Sequence, residues 1–303
     1  MEIRKLEVFC KVVELKSFTL AAEAVLLTQP TVSEHIRSLE QELEQRLFDR
    51  MGRLVEATPV GLVLYRYARK ILRTRQEAVQ AVARYSGSLV GRVTIGCGTI
   101  PGTHILPRLI GRFRHDYPSI KLTLRISGSQ NISRKVREGE LDFGFVGARW
   151  NDSGLSWSEM FHDELVLVVH PDHPWLQRDS VTLAEVIREP FILREHGSGT
   201  RKVFSRILEE NGLRESEVEE VAEIGSTAAI KEAVKEGMGV SILSSYALRD
   251  DISCGRLAVV PIKDQSLKRP FYLVRRKGRA LSPVASVFLK YLQQQRELET
   301  EQL

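Results

Sequence analysis

Gln29, Thr31, Ser33, Glu34 and Arg37 fall within one short stretch, TQPTVSEHIRSLE. Their shared chemistry is hydrogen bonding to flat groups met edge-on. Gln29 can pair with adenine or a phosphate, Thr31 can touch a thymine methyl, and Ser33 and Arg37 can reach phosphates or base edges. On a helix, Val32, Ile36 and Leu39 share one face, and Gln29, Pro30, Thr31, Ser33, Glu34 and Arg37 lie on or around the opposite one. Glu34 stands out, because a carboxylate near phosphates costs energy unless it accepts a bond, for instance from cytosine N4. It is expected to select sequence. Arg50 and Arg53, in the basic stretch DRMGRLVEATPVG, can clamp a DNA backbone from a wing. The same pattern also fits a small solvated helical domain, whose outer face is polar in any case.

A second set of residues suits anions. CGTIPGT (97–103), SGSQN (127–131), HGSGT (196–200) and IGSTA (224–228) each follow an expected strand and precede a helical stretch. Helix N-termini carry unsatisfied N–H groups and partial positive charge. The hydroxyls of Thr99, Ser129, Ser198, Thr200 and Thr227 add donors without adding charge. Converging, the four segments, with Ile100, Gln130 and Ser226, would hold a small anion such as sulfate, sulfite, phosphate or a carboxylate. Taken singly, each is an ordinary helix cap.

Catalytic and metal chemistry fit poorly. Gly96-Cys97-Gly98-Thr99-Ile100-Pro101-Gly102 has its third glycine one place late for a dinucleotide fingerprint. His196-Gly197-Ser198-Gly199 lacks the leading glycine of a nucleophile elbow. His170 and His173 flank Pro171, which breaks any metal-binding helix face. Cys10, Cys97 and Cys254 are too scattered for a disulfide framework or a zinc site. No catalytic residue, metal or cofactor is expected.

These groups need elements to position them. The 303 residues, 43% hydrophobic and 27% charged, read as two or three soluble domains. A net charge of +5 and a pI near 9.1 permit polyanion binding. No apolar run approaches the roughly 20 residues of a membrane span, and the start MEIRKLEVFCKVVEL is no signal peptide. A reduced, cytoplasmic setting follows.

Residues 1–58 read as packed short helices with Leu6, Phe9, Val12 and Val13 at helical spacing. Thr19–Leu26 and Gln29–Leu43, joined by a short turn, suggest a helix-turn-helix, with Thr28 as cap and Pro30 in the first turn. Residues 59–87 read as a long linker helix. Its Leu64, Tyr67, Ile71, Thr74, Ala78, Ala81 and Tyr85 form a heptad seam for self-association. GSLVGR (87–92) reads as a hinge-like link. From 88 to 303, strands such as VTIGC, KLTLRIS, LDFGFV, FILRE and VSILS alternate with helical stretches, which indicates α/β with mainly parallel sheets.

Residues 3–61 resemble the DNA-binding half of the LysR-type transcriptional regulators. The matching pieces are Ser17-Phe18, Ala21-Ala22, Gln29-Pro30-x-x-Ser33, Ile36, Leu39-Glu40, Leu47-Phe48-x-Arg50 and Thr58-Pro59-x-Gly61. Position 34, often basic or amide-bearing in that family, is Glu34 here. The resemblance implies a winged helix-turn-helix, with Ser17 also at the DNA, and a periplasmic-binding-protein-like module of two α/β subdomains. Subdomain I is expected over about 88–161 and 265–303, and subdomain II over about 162–264, with Gly147 near a crossing between them. It further implies an effector held between the subdomains, two half-sites of a dyad operator, dimers that pair into a homotetramer, recruitment of RNA polymerase, and no enzymatic activity. The effector half, especially GSGTR and EIGSTAAIKEAVKEGMGVSIL, looks similar to members controlling sulfur assimilation and autotrophic carbon metabolism. A small-molecule-binding or catalytic α/β protein with an incidental helical N-terminus is the competing reading.

Overall fold

The computed structural model of the chain describes residues 1–51, 54–85 and 89–300. It divides into two compact units, Met1–Ser88 and Leu89–Leu303.

In the first unit, helices α1 (Ile3–Leu15), α2 (Phe18–Val25) and α3 (Gln29–Leu43) precede a hairpin of β1 (Phe48–Met51) and β2 (Leu54–Ala57), and then α4 (Pro59–Tyr85). Short polar side chains set the helix starts. Ser17 Oγ accepts from the Leu20 amide at 3.2 Å and Thr28 Oγ1 from the Thr31 amide at 3.4 Å. Such caps contribute about 1 kcal/mol each. The α2–α3 turn passes through Leu26 in the left-handed region, at φ 57°. Leu6, Phe9, Val12, Val32, Ile36 and Leu39 are buried in one core with Leu47 and Phe48. Phe48 packs edge-on against Phe18, and Phe9 packs against Phe48 at 5.5 Å between ring centroids.

Glu40 and Thr58 tie the ends of the hairpin. The Glu40 carboxylate accepts from the Leu47 amide at 2.8 Å. Thr58 Oγ1 donates to the Arg46 carbonyl at 2.8 Å and accepts from the Gly61 amide at 3.0 Å. A Cβ on Gly61 would collide with the Leu47 carbonyl oxygen. The Thr-Pro-x-Gly turn therefore needs its glycine so that α4 can start against this strand.

The second unit is built on β3 (Gly91–Cys97), α5 (Leu106–Asp116), β4 (Ile120–Ile126), α6 (Ser129–Glu138), β5 (Phe143–Val146) and the long β6 (Leu155–Val169). Then come α7 (Leu183–Val186), β7 (Phe191–Arg194), α8 (Gly199–Glu210), β8 (Glu220–Ile224), α9 (Thr227–Lys235), β9 (Ser241–Ser244), α10 (Ser245–Ser253), β10 (Ala258–Val260), β11 (Lys268–Arg276) and α11 (Pro283–Thr300). Strands β3, β4 and β5 pair in parallel, as do β7 and β8. The sheets are more mixed than the alternation of strands and helices predicts. Strand β11 pairs antiparallel with β5 and β6, and β6 pairs antiparallel with β9 and β10. The reason is β6, which runs through two cores, with β11 returning beside it.

Those two cores meet along these strands. One gathers Val93, Phe113, Phe143, Phe161, Phe271 and Phe288, and the other Leu165, Leu167, Phe191, Phe204, Ile242 and Leu267. Ala247 of α10 packs into the first core with Tyr246 against it, while Leu248 joins a separate cluster with Val168 and Ile192.

Candidate DNA-reading face and effector cleft

In the first unit, Val32, Ile36 and Leu39 are buried, while Gln29, Pro30, Thr31, Glu34 and Arg37 are exposed and Ser33 is half-buried. The exposed groups lie on the face of α3 away from the core. They are already organised by one another: Gln29 Nε2 donates to Ser33 Oγ at 3.0 Å, and the Thr28 and Thr31 hydroxyls share a bond at 2.8 Å. Glu34 has a partner. Arg37 Nη1 donates to its carboxylate at 3.2 Å, one helical turn on. Ser17 is half-buried, with its hydroxyl at the α2 cap. Arg50 is placed by its backbone on β1, opposite Val55, while Arg53 lies outside the described residues.

In the second unit, three of the four glycine-containing segments converge at one small cavity of about 20 Å³. That is room for about one water. Thr99, Ile100, Ser129, Gly147, Ser198 and Thr200 line it. Gln130 does not; its backbone N–H instead donates to the Gly197 carbonyl at 3.2 Å. Ser226 caps α9 by accepting from the Ala229 amide. Thr227 stands one residue further back, with its hydroxyl accepting from Arg194.

The approach is close because glycines make it so. A Cβ on Gly199, at the start of α8, would lie 2.9 Å from both the Gly147 carbonyl carbon and Ser129 Oγ. Ser129 Oγ in turn accepts from the Gly147 amide at 3.3 Å. The first amides of α8 and α6 have no intrahelical acceptors, as in any helix. Ser198 is 3% exposed and its hydroxyl makes no cap bond. It separates the cavity from a wider pocket of about 180 Å³ that Trp150, His196 and Lys202 also line.

Two buried cations complete the cavity wall, and sequence reasoning missed both. Arg194 ends β7 and Arg269 is the second residue of the return strand β11; they are 6% and 3% exposed. Arg269 donates through Nε to Asp163 Oδ2 at 2.8 Å and through Nη1 to Thr200 Oγ1 at 3.2 Å. Asp163 sits directly opposite it in the β6–β11 register and also accepts from Ser244 Oγ at 2.6 Å. Burial pushes the Arg269 pKa down and the Asp163 carboxylate opposes it, while nearby Arg194 adds to the downward push. Arg194 donates through Nη1 to Thr227 Oγ1 at 2.8 Å and through Nη2 to the Gly225 carbonyl at 3.2 Å. Its Nε and Nη2 also hold Glu195, at 2.8 and 2.9 Å. The available signal was a lone arginine closing the apolar run FIL, since buried charge is rare without a purpose.

Burial pushes the Cys97 thiol well up, so it is no nucleophile at neutral pH. Among the described residues no group of three or more His, Cys, Asp or Glu side chains could hold a metal ion, and no helix is long and apolar enough to cross a membrane.

The model for the bacterial regulatory helix-turn-helix proteins of the lysR family matches residues 3–62, and that for the LysR substrate binding domain matches residues 86–297. The HTH-type transcriptional activator CmpR of Synechocystis is 33% identical over 290 residues, covering 96% of this chain and 94% of that protein. A probable RuBisCO transcriptional regulator of Cyanidioschyzon merolae is 32% identical over 291 residues, covering 95% and 96%. It agrees with the carbon-metabolism side of the resemblance read from the sequence. Among solved structures, the regulatory domain of Synechocystis CcmR in complex with 2-PG superposes with a TM-score of 0.63 at 29% identity, covering 68% of this chain and 97% of that one. With a helix-turn-helix whose outer face carries hydrogen-bonding side chains and a second unit whose helix starts converge on a cavity, this chain belongs to the LysR family of ligand-responsive transcriptional regulators.

Proposed function

We propose that this regulator reads a dyad operator with α3 and responds to a small oxyanion bound between the two cores of its second unit. The observation that carries the effector reading is the pair of buried arginines, Arg194 and Arg269, beside three helix starts and the uncapped Ser198 hydroxyl. Buried cations near such donors favour an anion that can take several charge-assisted bonds. CcmR, whose regulatory domain is solved with 2-PG, gives the first compound to test. Thr99, Ile100, Ser129, Gly147, Ser198 and Thr200 would surround the guest, with Gln130, Ser226 and Thr227 placing the elements around it.

On the DNA side, Gln29, Pro30, Thr31, Ser33, Glu34 and Arg37 would face the major groove, with Ser17, Arg50 and Arg53 toward the backbone. Two such helices reach half-sites about one helical turn apart only in a dimer. The face of α4 supports that assembly: Val63, Tyr67, Ile71, Val79 and Val82 are all exposed. We assign domains to 1–58, 59–87 and 88–303, with dimers paired into tetramers that recruit RNA polymerase in the cytoplasm. An anion shifts transcription only if it favours one arrangement of the two cores over another.

Titration of the full chain with sulfate, sulfite, phosphate, 2-PG and small carboxylates, followed by thermal unfolding, tests the effector reading. A bound anion raises the midpoint with concentration. No shift with any of them removes the anion and leaves the family assignment standing.

A further inference from the structure

We propose that Glu195 is a built-in stand-in for the effector, its carboxylate occupying the edge of Arg194 that the incoming oxyanion takes over. The inference rests on the reading of the cleft as an oxyanion site. Neighbouring residues in a strand point to opposite faces. Arg194 and Glu195 nevertheless form a two-bond pair, because β7 ends at Arg194 and the chain turns there, with the Ser198 amide donating to the Glu195 carbonyl at 3.1 Å.

The two partners are not held alike. Thr227 Oγ1 and the Gly225 carbonyl fix the Arg194 guanidinium without any help from Glu195. Among the described residues Glu195 has no such second anchor, and its side chain is 28% exposed against 5% for Arg194. Glu195 can therefore rotate into water, while Arg194 stays in place with Nε and one Nη2 hydrogen free. Those two donors are the parallel fork that a carboxylate, sulfate or phosphate accepts.

Position supports the exchange. A Cβ on Gly128, just before α6, would lie 3.7 Å from Glu195 Oε1, and one on Gly225 would lie 3.9 Å from the same side chain. The carboxylate thus stands where segments of the two cores meet. Charge also balances: Arg194 and Arg269 face Glu195 and Asp163, and an entering anion that displaces Glu195 leaves the buried sum nearly unchanged. The exchange sets a threshold on affinity. It also selects guests that accept two parallel bonds, which a halide cannot do.

The test compares the full chain with Glu195→Gln and with Glu220→Gln, an exposed control on β8. Each is titrated with inorganic phosphate, sulfate and 2-PG by calorimetry at fixed ionic strength, with circular dichroism to verify folding. Removing the internal competitor should tighten at least one anion by about tenfold or more in Glu195→Gln, with the control unchanged. Glu195→Asp, whose shorter side chain reaches the fork poorly, should tighten it less. Repulsion alone would tighten binding in Glu195→Gln but not in Glu195→Asp, which keeps the charge; tightening in both marks release of the fork. Wild-type binding with equal or weaker binding in Glu195→Gln overturns the stand-in role and leaves the oxyanion site intact. If none of the three anions binds any of the proteins, the site and the stand-in fall together.

Discussion

Glu34→Ala separates two roles for the carboxylate on the DNA-reading face. Glu34 and Arg37 are 3.2 Å apart and their side chains are 66% and 64% exposed. An exposed pair one turn apart on a helix contributes roughly 0.2–0.5 kcal/mol, and alanine returns a similar amount in helix propensity. Folding stability should therefore stay within about 0.5 kcal/mol, and any change in DNA binding belongs to the interface. On random duplex, the variant removes one negative charge and frees one guanidinium per recognition helix. The slope of log affinity against log salt should steepen by about 0.9 per helix. On the operator, the variant also loses the bond to a base that we propose for Glu34, worth about 1–3 kcal/mol, or roughly 5- to 150-fold. The ratio of operator to random affinity should fall at least about fivefold in fluorescence anisotropy titrations over a salt series. Equal tightening on both duplexes would refute the reasoning, because Glu34 would then be only repulsive.

The exposed α4 face predicts that Ile71→Glu with Tyr67→Asp splits the proposed dimer without unfolding the chain, since both positions already face solvent; sedimentation velocity would show it. Arg269→Met strands Asp163 as a buried unpaired charge and should cost about 3–5 kcal/mol, while adding Asp163→Leu should recover much of it, read by urea unfolding. Asp251 is buried and bonded to Lys231 at 2.6 Å and Lys235 at 2.7 Å. Burial alone would raise its carboxyl, but the two lysines outweigh it and hold it down at about 2. Because the folded value lies below the ordinary 3.8, its stabilisation is full above about pH 4 and is lost as pH falls toward 2. Asp251→Asn should lower the unfolding midpoint at pH 6 and narrow its gap to wild type across that window. Glu40→Ala leaves the Leu47 amide without its acceptor and should cost about 1–3 kcal/mol, seen by thermal unfolding.

Local chemistry carried much of the fold into the sequence. Thr28 and Pro30 mark the start of α3 because a cap and a first-turn proline act within one turn. Val32, Ile36 and Leu39 mark its inner face because helical period is local too. The strands β3, β5, β7 and β9 show as apolar runs because most of their residues are buried, and β4 shows through Ile120, Leu122 and Leu124, which pack on the first core. Strand β8 is expected ahead of IGSTA but shows no apolar run of its own, because EVAEI is largely exposed and its acidic residues mask the period. Strand β6 extends over fifteen residues, well before its apolar stretch LVLVV, since its polar first half carries no apolar run.

What the tertiary structure alone decided is pairing at long range. Asp163 and Arg269 lie 106 residues apart and meet only because β11 returns beside β6. Arg194 reads as one more surface charge until β7 is seen with all four of its residues buried. The glycine-containing segments read from the sequence as candidate helix starts. Which of them share a cavity depends on the backbone contact of Gly199 with Gly147, and no local period encodes that contact. Spacing along the chain fixes what a residue does within its own helix or strand. Which charges are buried together is fixed by how those elements cross.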